Sequence, residues 1–201
     1  MSDTLPYAEV IGDPIAHSKS PIIHNFWLEQ LGIPAEYRKT HVKPGELAVY
    51  FLKRRADPDW LGCNITIPHK ISALDYVDDP GGVRQRIGAI NTVACETGGP
   101  LIGTNTDAGG FLQPLLKRKW TGSRAILVGA GGAALAIGFA LRSVGITDLT
   151  IVARDKTKGQ ALLDRLAFAG SVQDFAAPLP PAALLVNASA LGMVGNDPYA
   201  P

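Results

Sequence analysis

Residues 125–145 read AILVGAGGAALAIGFALRSVG, which predicts an apolar strand, a glycine-rich turn and a helix in immediate succession. Gly129 can make the tight turn, Gly131 leaves room for a pyrophosphate against the backbone, and the small Ala134 lets the helix pack closely on the strand. Because the start of a helix offers N–H groups to an anion, the stretch predicts a dinucleotide site. A tight turn with a purely structural role is the alternative. The residues of the predicted site are Gly129, Ala130, Gly131, Gly132 and Ala133.

A second strand, DLTIVARD at residues 148–155, follows at the distance expected in a dinucleotide-binding fold. The end of this strand usually selects the cofactor, because an acid there bonds the ribose hydroxyls whereas an arginine accommodates a 2′-phosphate. The sequence offers both, as Arg154 and Asp155, and Lys158 adds a positive charge in the following turn. Two cations outweigh one acid for a phosphate ligand. We expect NADP as the cofactor, with NAD as the open alternative.

The first half of the chain also alternates between strand-like and helix-like stretches. YAEVIG at residues 7–12 reads as a strand, and Ser20 and Pro21 supply an N-cap and a first-turn residue for the helix that follows. LGCNITIPHK at residues 61–70 is a strand that ends at Pro68, with polar groups at its carboxyl end. Open α/β sheets collect ligands at such strand ends. The alternation predicts an α/β fold with parallel sheets covered by helices.

A hairpin predicts that the first sheet is mixed rather than wholly parallel. AINTVACE and PLIGTN flank Gly98 and Gly99, a pair that tolerates the positive φ angles of a tight turn. The fold class is therefore α/β, with an N-terminal mixed-sheet domain that binds the substrate, followed by a Rossmann-type dinucleotide-binding domain. We place the boundary near Asn105, giving domains at residues 1–104 and 105–201.

Composition excludes several classes of protein. The chain has 201 residues, 46% of them hydrophobic, and a formal net charge of +1, so no strong field attracts nucleic acid or an anionic membrane. The amino-terminal segment lacks a leader pattern, and no apolar run reaches about 20 residues. Two isolated cysteines and four histidines without metal-ligand spacing argue against disulfides and zinc. We expect a cytoplasmic enzyme with a small-molecule substrate, present as a monomer or homodimer.

Four short segments of the first half are more specific than the glycine turn. They are SKSP at residues 18–21, NITIPHK at 64–70, GAINT at 88–92 and NTD at 105–107. With NASALGM at residues 187–193, they resemble the shikimate dehydrogenase family over essentially the whole chain. The resemblance implies an NADP-dependent oxidoreductase acting on a CH–OH group. The implied reaction is the reversible reduction of 3-dehydroshikimate to shikimate with NADPH, a step of the shikimate pathway to chorismate and the aromatic amino acids.

The resemblance also implies which residues bind the substrate. Hydroxyls matching Ser18 and Ser20 hold the substrate carboxylate, and two hydroxyl donors beside a helix start are suited to an anion. The positions that bind the ring hydroxyls are matched by Asn64, Thr66, Asn91 and Asp107. Asn and Asp side chains accept and orient hydroxyl hydrogens, so this set suits a cyclic polyol. Each residue taken alone is also typical of a cap, a turn or a strand end.

The resemblance gives Lys70 the role of acid and base. A lysine ammonium can donate a proton to the substrate oxygen while hydride reaches the carbonyl carbon, and a neutral lysine takes the proton back in reverse. Asp107 is implied to orient the reacting hydroxyl close to Lys70, and Met193 matches a residue near the nicotinamide. A surface lysine and a core methionine are the ordinary alternatives. We expect His69, beside Lys70, to be structural, because neighbouring residues of an extended chain point apart.

The sequence departs from the family in two places. Ala153, Arg154 and Asp155 stand where the family usually has Asn-Arg-Thr, which loosens the expectation of NADP and admits an NAD-dependent quinate/shikimate dehydrogenase. The chain also ends at Pro201, soon after NASALGM, where family members continue, so we expect the C-terminal part of the dinucleotide domain to be missing. A non-catalytic NADP(H)-binding relative is the third possibility. It would keep the glycine turn but gain nothing from Lys70.

Overall fold

The computed structural model describes residues 4–95 and 99–192. The chain divides into two compact units, Met1–Thr106 and Asp107–Pro201. Within the described residues, none of the helices is both long and apolar enough to span a membrane.

The first unit contains five strands and three α-helices among the described residues. In chain order the elements are β1 (Tyr7–Gly12), α1 (Ser20–Gln30), β2 (Glu36–His41), α2 (Leu47–Arg55), β3 (Trp60–Ile65), a 3-10 helix (Ser72–Tyr76), α3 (Val83–Arg86), β4 (Thr92–Cys95) and β5 (Leu101–Thr104). The strand order is β2-β1-β3-β4-β5. Strands β1, β2 and β3 are parallel, whereas β4 runs antiparallel to both β3 and β5. The predicted mixed sheet is therefore confirmed. Of the two glycines in the predicted turn, Gly98 lies outside the described residues.

The order of the three parallel strands opens a crevice at the carboxyl end of this sheet. β1 lies between β2 and β3, and the chain continues from β1 to β2 on one side and from β3 to β4 on the other. Connections that diverge from neighbouring parallel strands open a crevice at the carboxyl ends of those strands. The Asp13 N–H donates to the carbonyl of Ile67 at 3.0 Å, which ties the end of β1 to the end of β3.

A buried carboxylate joins the middle of this sheet to helix α2. Glu9, in the central strand β1, is fully buried. Its Oε1 accepts from Arg54 Nε at 2.5 Å and from the Tyr50 hydroxyl at 2.7 Å. Its Oε2 accepts from Arg54 Nη2 at 3.2 Å and from the Thr40 hydroxyl of β2. A buried charge is tolerated only with such complete pairing, so Glu9 connects β1, β2 and α2.

Apolar side chains cover both faces of the first sheet. On one face the buried cluster includes Ile11, Phe51, Trp60, Ile65 and Leu101. The opposite face carries a smaller cluster of Val10, Ile15 and Tyr37, against which Leu28 of helix α1 packs. Parallel strands that are buried on both faces have near-continuous runs of apolar residues.

The second unit is a parallel sheet with helices. Its elements are α4 (Asp107–Leu115), β6 (Arg124–Val128), α5 (Gly132–Ser143), β7 (Asp148–Val152), α6 (Lys156–Arg165), β8 (Ala169–Gln173) and β9 (Leu184–Asn187). All pairs are parallel, in the order β8-β7-β6-β9. The chain leaves β6 toward β7 and returns to β9 on the other side of β6, which is the Rossmann-type arrangement with a crevice between the ends of β6 and β9.

The unit boundary lies two residues after the position expected from the sequence, since Thr106 still belongs to the first unit. Hydrogen bonds explain the difference. The Asn105 side-chain amide donates to the Ala89 carbonyl at 2.8 Å, and the Thr106 N–H donates to Asn91 Oδ1 at 2.9 Å. Both residues are therefore tied to the start of β4.

Removal of the Glu9 carboxylate should destabilise the protein strongly. We expect Glu9→Ala to lower the free energy of unfolding by about 2–4 kcal/mol, because it removes the partner of the partly buried Arg54 guanidinium and the acceptor of the Tyr50 hydroxyl. Urea unfolding followed by circular dichroism measures the change. The matched control is Glu36→Ala on the same sheet, whose partner Arg38 is 41% exposed and which should cost about 1 kcal/mol or less. Equal losses in the two variants would contradict the role given to Glu9.

Candidate active site

The substrate residues expected in the first unit gather at the carboxyl ends of β1 and β3. Ser18 and Ser20 follow β1, Asn64 lies in β3, and Thr66 and Lys70 follow β3. Asn91 precedes β4, at the same end of the sheet, because Asn64 pairs with Thr92 across the antiparallel strands. The topology that creates the crevice thus also delivers these polar side chains to it.

Ser18 and Ser20 lie at the start of helix α1. The Ser20 N–H donates to Ser18 Oγ at 3.3 Å. The expectation that Ser20 is the N-cap is wrong, because Lys19 occupies that position and Ser20 is the first helical residue. The physical reason is that the Lys19 carbonyl accepts the first helical bond, from the Ile23 N–H at 3.3 Å. Both serine side chains are partly exposed beside the N–H groups that begin the helix.

Thr66 is held against the end of β1 by a close approach of two backbones. Its N–H donates to the Ile11 carbonyl at 2.9 Å. A Cβ atom placed on Gly12 would lie 2.5 Å from Thr66 Cγ2 and 2.8 Å from the Ile67 carbonyl oxygen. Only glycine therefore fits at position 12 without displacing the loop that carries Thr66 toward Lys70.

Asn64 and Asn91 belong to one chain of hydrogen bonds. The Tyr37 hydroxyl donates to Asn64 Oδ1 at 2.6 Å, and Asn64 Nδ2 donates to Thr92 Oγ1 at 3.1 Å. The Thr92 hydroxyl donates to Asn91 Oδ1 at 3.0 Å. Asn91 Nδ2 then donates to Thr106 Oγ1 at 2.8 Å. Sequence reasoning did not assign roles to Tyr37, Thr92 or Thr106. Only the latter two lie in segments that carry the family resemblance, GAINT and NTD.

Lys70 and His69 differ in their surroundings. Lys70 is partly exposed, and its backbone carbonyl accepts from the Ile90 N–H at 2.8 Å, which anchors it beside the GAINT segment. His69 is buried, and its Nε2 lies 2.6 Å from the Val42 carbonyl oxygen. A carbonyl only accepts, so His69 donates there and holds the loop after β3 to the end of β2. This geometry fits the structural role expected for His69.

Asp107 begins helix α4 in the second unit and is partly exposed. A carboxylate in the first turn of a helix is favoured by the positive end of the helix dipole. The proximity of Asp107 to Lys70 remains a prediction from the resemblance.

The glycine turn of the second unit meets the requirements of a dinucleotide site. Gly129 has φ +109°, and a Cβ there would lie 2.9 Å from the carbonyl carbon and oxygen of Ala188, at the end of β9. At Gly131 an added Cβ meets nothing within 4 Å, so open space adjoins the backbone. The Leu135 N–H donates to the Gly131 carbonyl at 3.1 Å. The N–H groups of Gly132 and Ala133 precede this first helical bond and suit a pyrophosphate.

The three residues expected to select the cofactor surround the start of helix α6. Asp155 is the N-cap, and its Oδ1 accepts from the Lys158 N–H at 3.1 Å. That backbone bond, with the Lys158 ammonium 3.6 Å from Oδ2, holds the pKa of Asp155 below its usual value. Arg154 is exposed immediately before the cap. Asp155, the residue that favoured NAD, is thus engaged by the helix start and by the Lys158 ammonium, and Arg154 adds an exposed positive charge beside it.

Two further expectations concern Met193 and metals. Met193 lies outside the described residues. In residues 4–95 and 99–192, no group of three His, Cys, Asp or Glu side chains is arranged to hold a metal ion.

Comparison with known proteins identifies the family. The model described as shikimate dehydrogenase substrate binding domain matches residues 10–93. A shikimate dehydrogenase (NADP(+)) of Sphingopyxis alaskensis is 52% identical over 193 residues, which cover 96% of this chain and 70% of that protein. Another, of Rhodospirillum rubrum, is 40% identical over 202 residues, covering 95% of this chain and 71% of the relative.

The fold also matches solved structures. The crystal structure of shikimate 5-dehydrogenase from Thermus thermophilus in complex with NADP(H) and shikimate has a TM-score of 0.78 and 34% identity, covering 94% of this chain and 70% of that one. The ligand-free 5-ketofructose reductase of Gluconobacter sp. strain CHM43 also has a TM-score of 0.78, with 31% identity over 98% of this chain and 74% of the other. The extent of these similarities shows that the chain belongs to the shikimate dehydrogenase family, in agreement with the polar carboxyl end of its first sheet and its glycine turn.

Proposed function

We propose that the protein catalyses the reversible, NADPH-dependent reduction of 3-dehydroshikimate to shikimate, in the pathway to chorismate and the aromatic amino acids. The observation that carries this proposal is that hydroxyl and amide residues and Lys70 lie at or just beyond the carboxyl ends of β1 and β3. The 52% identity to a shikimate dehydrogenase (NADP(+)) supports it independently.

The substrate is an anionic cyclic polyol, and these strand ends offer groups for both parts of it. The hydroxyls of Ser18 and Ser20, with the N–H groups that begin helix α1, bind the carboxylate. The ring hydroxyls are bound by Thr66 and by the amides of Asn64 and Asn91, whose orientations are fixed by hydrogen bonds to protein. A ketose without a carboxylate would leave Ser18 and Ser20 without their partner, which favours shikimate over 5-ketofructose as substrate.

Lys70 is the acid and base of the proposed mechanism. When bound, NADPH supplies the hydride that reduces the carbonyl carbon of 3-dehydroshikimate. The Lys70 ammonium donates a proton to the carbonyl oxygen, and in the oxidation of shikimate the neutral amine takes that proton from the hydroxyl. The resemblance gives Asp107 the role of accepting a hydrogen bond from the reacting hydroxyl.

NADP binds at the crevice between β6 and β9. The N–H groups at Gly131, Gly132 and Ala133, with the backbone of Gly129 and Ala130 beside them, would hold the pyrophosphate of the bound cofactor. Arg154 and Lys158 bind the 2′-phosphate by charge-assisted hydrogen bonds. Asp155 caps helix α6 and does not accept a hydrogen bond from the ribose hydroxyls. Met193, which matches a family residue near the nicotinamide, is included in the cofactor site on the resemblance alone.

The cellular setting follows from this role. We propose that the protein acts in the cytoplasm on its small-molecule substrate, as a monomer or homodimer, with no nucleic acid or membrane partner.

Replacement of Lys70 separates catalysis from binding. We expect the wild type to reduce NADP+ with shikimate, and Lys70→Ala to lower kcat by about 100-fold or more while the KM for shikimate changes little, because the acid/base group is lost but the binding groups remain. The absorbance of reduced nicotinamide measures turnover. Lys53→Ala, on the exposed face of α2, is the matched control and should behave as wild type.

Each failure of this experiment has a distinct meaning. A wild type that is silent with shikimate and NADP+ would contradict the proposed function, and turnover of quinate with NAD+ would establish the alternative dehydrogenase. Binding of NADPH by calorimetry without turnover of any cyclic polyol would establish a non-catalytic relative. A Lys70→Ala variant as fast as wild type would remove the lysine from the mechanism.

Cofactor preference should depend on Arg154 and not on Asp155. We expect Arg154→Ala to lower kcat/KM for NADP+ by about 10-fold or more and to leave the value for NAD+ unchanged, since only the 2′-phosphate contact is lost. Asp155→Thr retains an N-cap and should keep the preference for NADP+. Steady-state kinetics with both cofactors measure these ratios. A shift toward NADP+ of about tenfold or more in Asp155→Thr would show that the acid had contacted the ribose.

A further inference from the structure

Tyr37 lies at the beginning of the hydrogen-bond chain that links Asn64 to Asn91. It belongs to β2, outside the five short motifs SKSP, NITIPHK, GAINT, NTD and NASALGM. Its side chain is buried at 5% exposure, and burial raises the pKa of its hydroxyl above the ordinary value. The hydroxyl therefore stays protonated and donates to Asn64 Oδ1, an oxygen that can only accept.

Each hydrogen bond from Tyr37 to Asn91 has a defined donor and acceptor. With Oδ1 turned to Tyr37, Asn64 Nδ2 faces two acceptors, the Thr92 hydroxyl at 3.1 Å and the Asn91 carbonyl at 3.4 Å. A flipped amide would bring Asn64 Oδ1 against the Asn91 carbonyl, two acceptors without a hydrogen between them. Thr92 accepts from Asn64 and consequently uses its own hydrogen for Asn91 Oδ1. Asn91 Oδ1 also accepts from the Thr106 N–H at 2.9 Å, a backbone donor that fixes the Asn91 amide independently of Asn64.

Helix α1 and its neighbours hold Tyr37 itself in place. Asn25 Nδ2 donates to the Tyr37 carbonyl at 2.8 Å, and the Tyr37 N–H donates to Asn25 Oδ1 at 2.7 Å. The ring of His24 stacks on the Tyr37 ring, with centroids 4.1 Å apart and planes 9° from parallel. A side chain fixed at both its backbone and its ring delivers its hydroxyl with little remaining freedom.

Asn64 keeps capacity for a ligand after these bonds are made. An amide oxygen has two lone pairs, and Tyr37 uses one of them. Asn64 is only partly buried, although Tyr37 behind it is buried. The remaining lone pair of Oδ1 can accept a hydroxyl hydrogen, and the Tyr37 bond keeps that oxygen, rather than the NH2 group, available for it.

We propose that Tyr37 is a positioning residue for substrate, because its buried hydroxyl fixes the Asn64 amide so that Oδ1 accepts a hydrogen bond from a ring hydroxyl of the cyclic polyol. This inference rests on the proposed function and extends it to a residue that does not touch the substrate. Tyr37 acts on Asn64, whose amide also bonds Thr92, while Asn91 is held separately by the Thr106 N–H.

Tyr37→Phe tests the inference, because it removes one oxygen and keeps the stacked ring. We expect the KM for shikimate to rise about three- to tenfold, the effect of one neutral hydrogen bond, while the KM for NADP+ stays within about twofold. The matched control is Tyr7→Phe on the same sheet, whose hydroxyl bonds Asp57 at 2.6 Å and which should leave both KM values unchanged. Thr92→Val interrupts the next bond and should raise the KM for shikimate in the same selective way.

A double-mutant cycle distinguishes positioning from a general effect on the fold. In an Asn64→Ala background, Tyr37→Phe should have no further effect on the KM for shikimate, since the group that it orients is absent. A wild type active with shikimate whose KM is unchanged by Tyr37→Phe would overturn the inference, as would an undiminished effect in the Asn64→Ala background. A wild type inactive with shikimate would overturn the proposed function and the inference with it.

Discussion

The buried carboxylate of Glu9 is the constraint on which the first unit depends. It lies in the central strand and accepts hydrogen bonds from Arg54 and Tyr50 of α2 and from Thr40 of β2. A charge in this position is tolerated only while all of these donors are in place, so it favours one arrangement of β1, β2 and α2 over others. β3 pairs with the other side of β1, and the carboxyl ends of β1 and β3 are where the proposed substrate residues meet.

The site is assembled by strand pairing more than by local sequence. Asn64 meets Thr92 because β3 and β4 run antiparallel in that register, and Thr66 approaches the end of β1 because Gly12 has no side chain. Helix α1 contributes to the site in two ways. Its start carries Ser18 and Ser20 toward the proposed carboxylate site, while residues of its second turn fix the position of Tyr37.

The sequence was sufficient for the α/β class, the mixed sheet and the glycine turn, because each depends on a local pattern of apolar residues and glycines. It was insufficient where a contact joins distant residues. Tyr37 carries no local signal, since its partner Asn64 is 27 positions away. Glu9 was read only as part of an apolar strand, because its partners lie in other elements. Ser20 was misplaced by one position as a cap, since a helix start depends on which carbonyl accepts the first bond.

The most direct test of the account is a crystal structure of the protein with shikimate and NADP+ bound. We expect the shikimate carboxylate within about 3.2 Å of the Ser18 and Ser20 hydroxyls, and a ring hydroxyl within the same distance of Lys70 Nζ and Asp107. The Asn64 amide should keep its bond to Tyr37 and accept a ring hydroxyl through Oδ1. Shikimate bound away from the carboxyl ends of β1 and β3, with these residues uncontacted, would contradict the account.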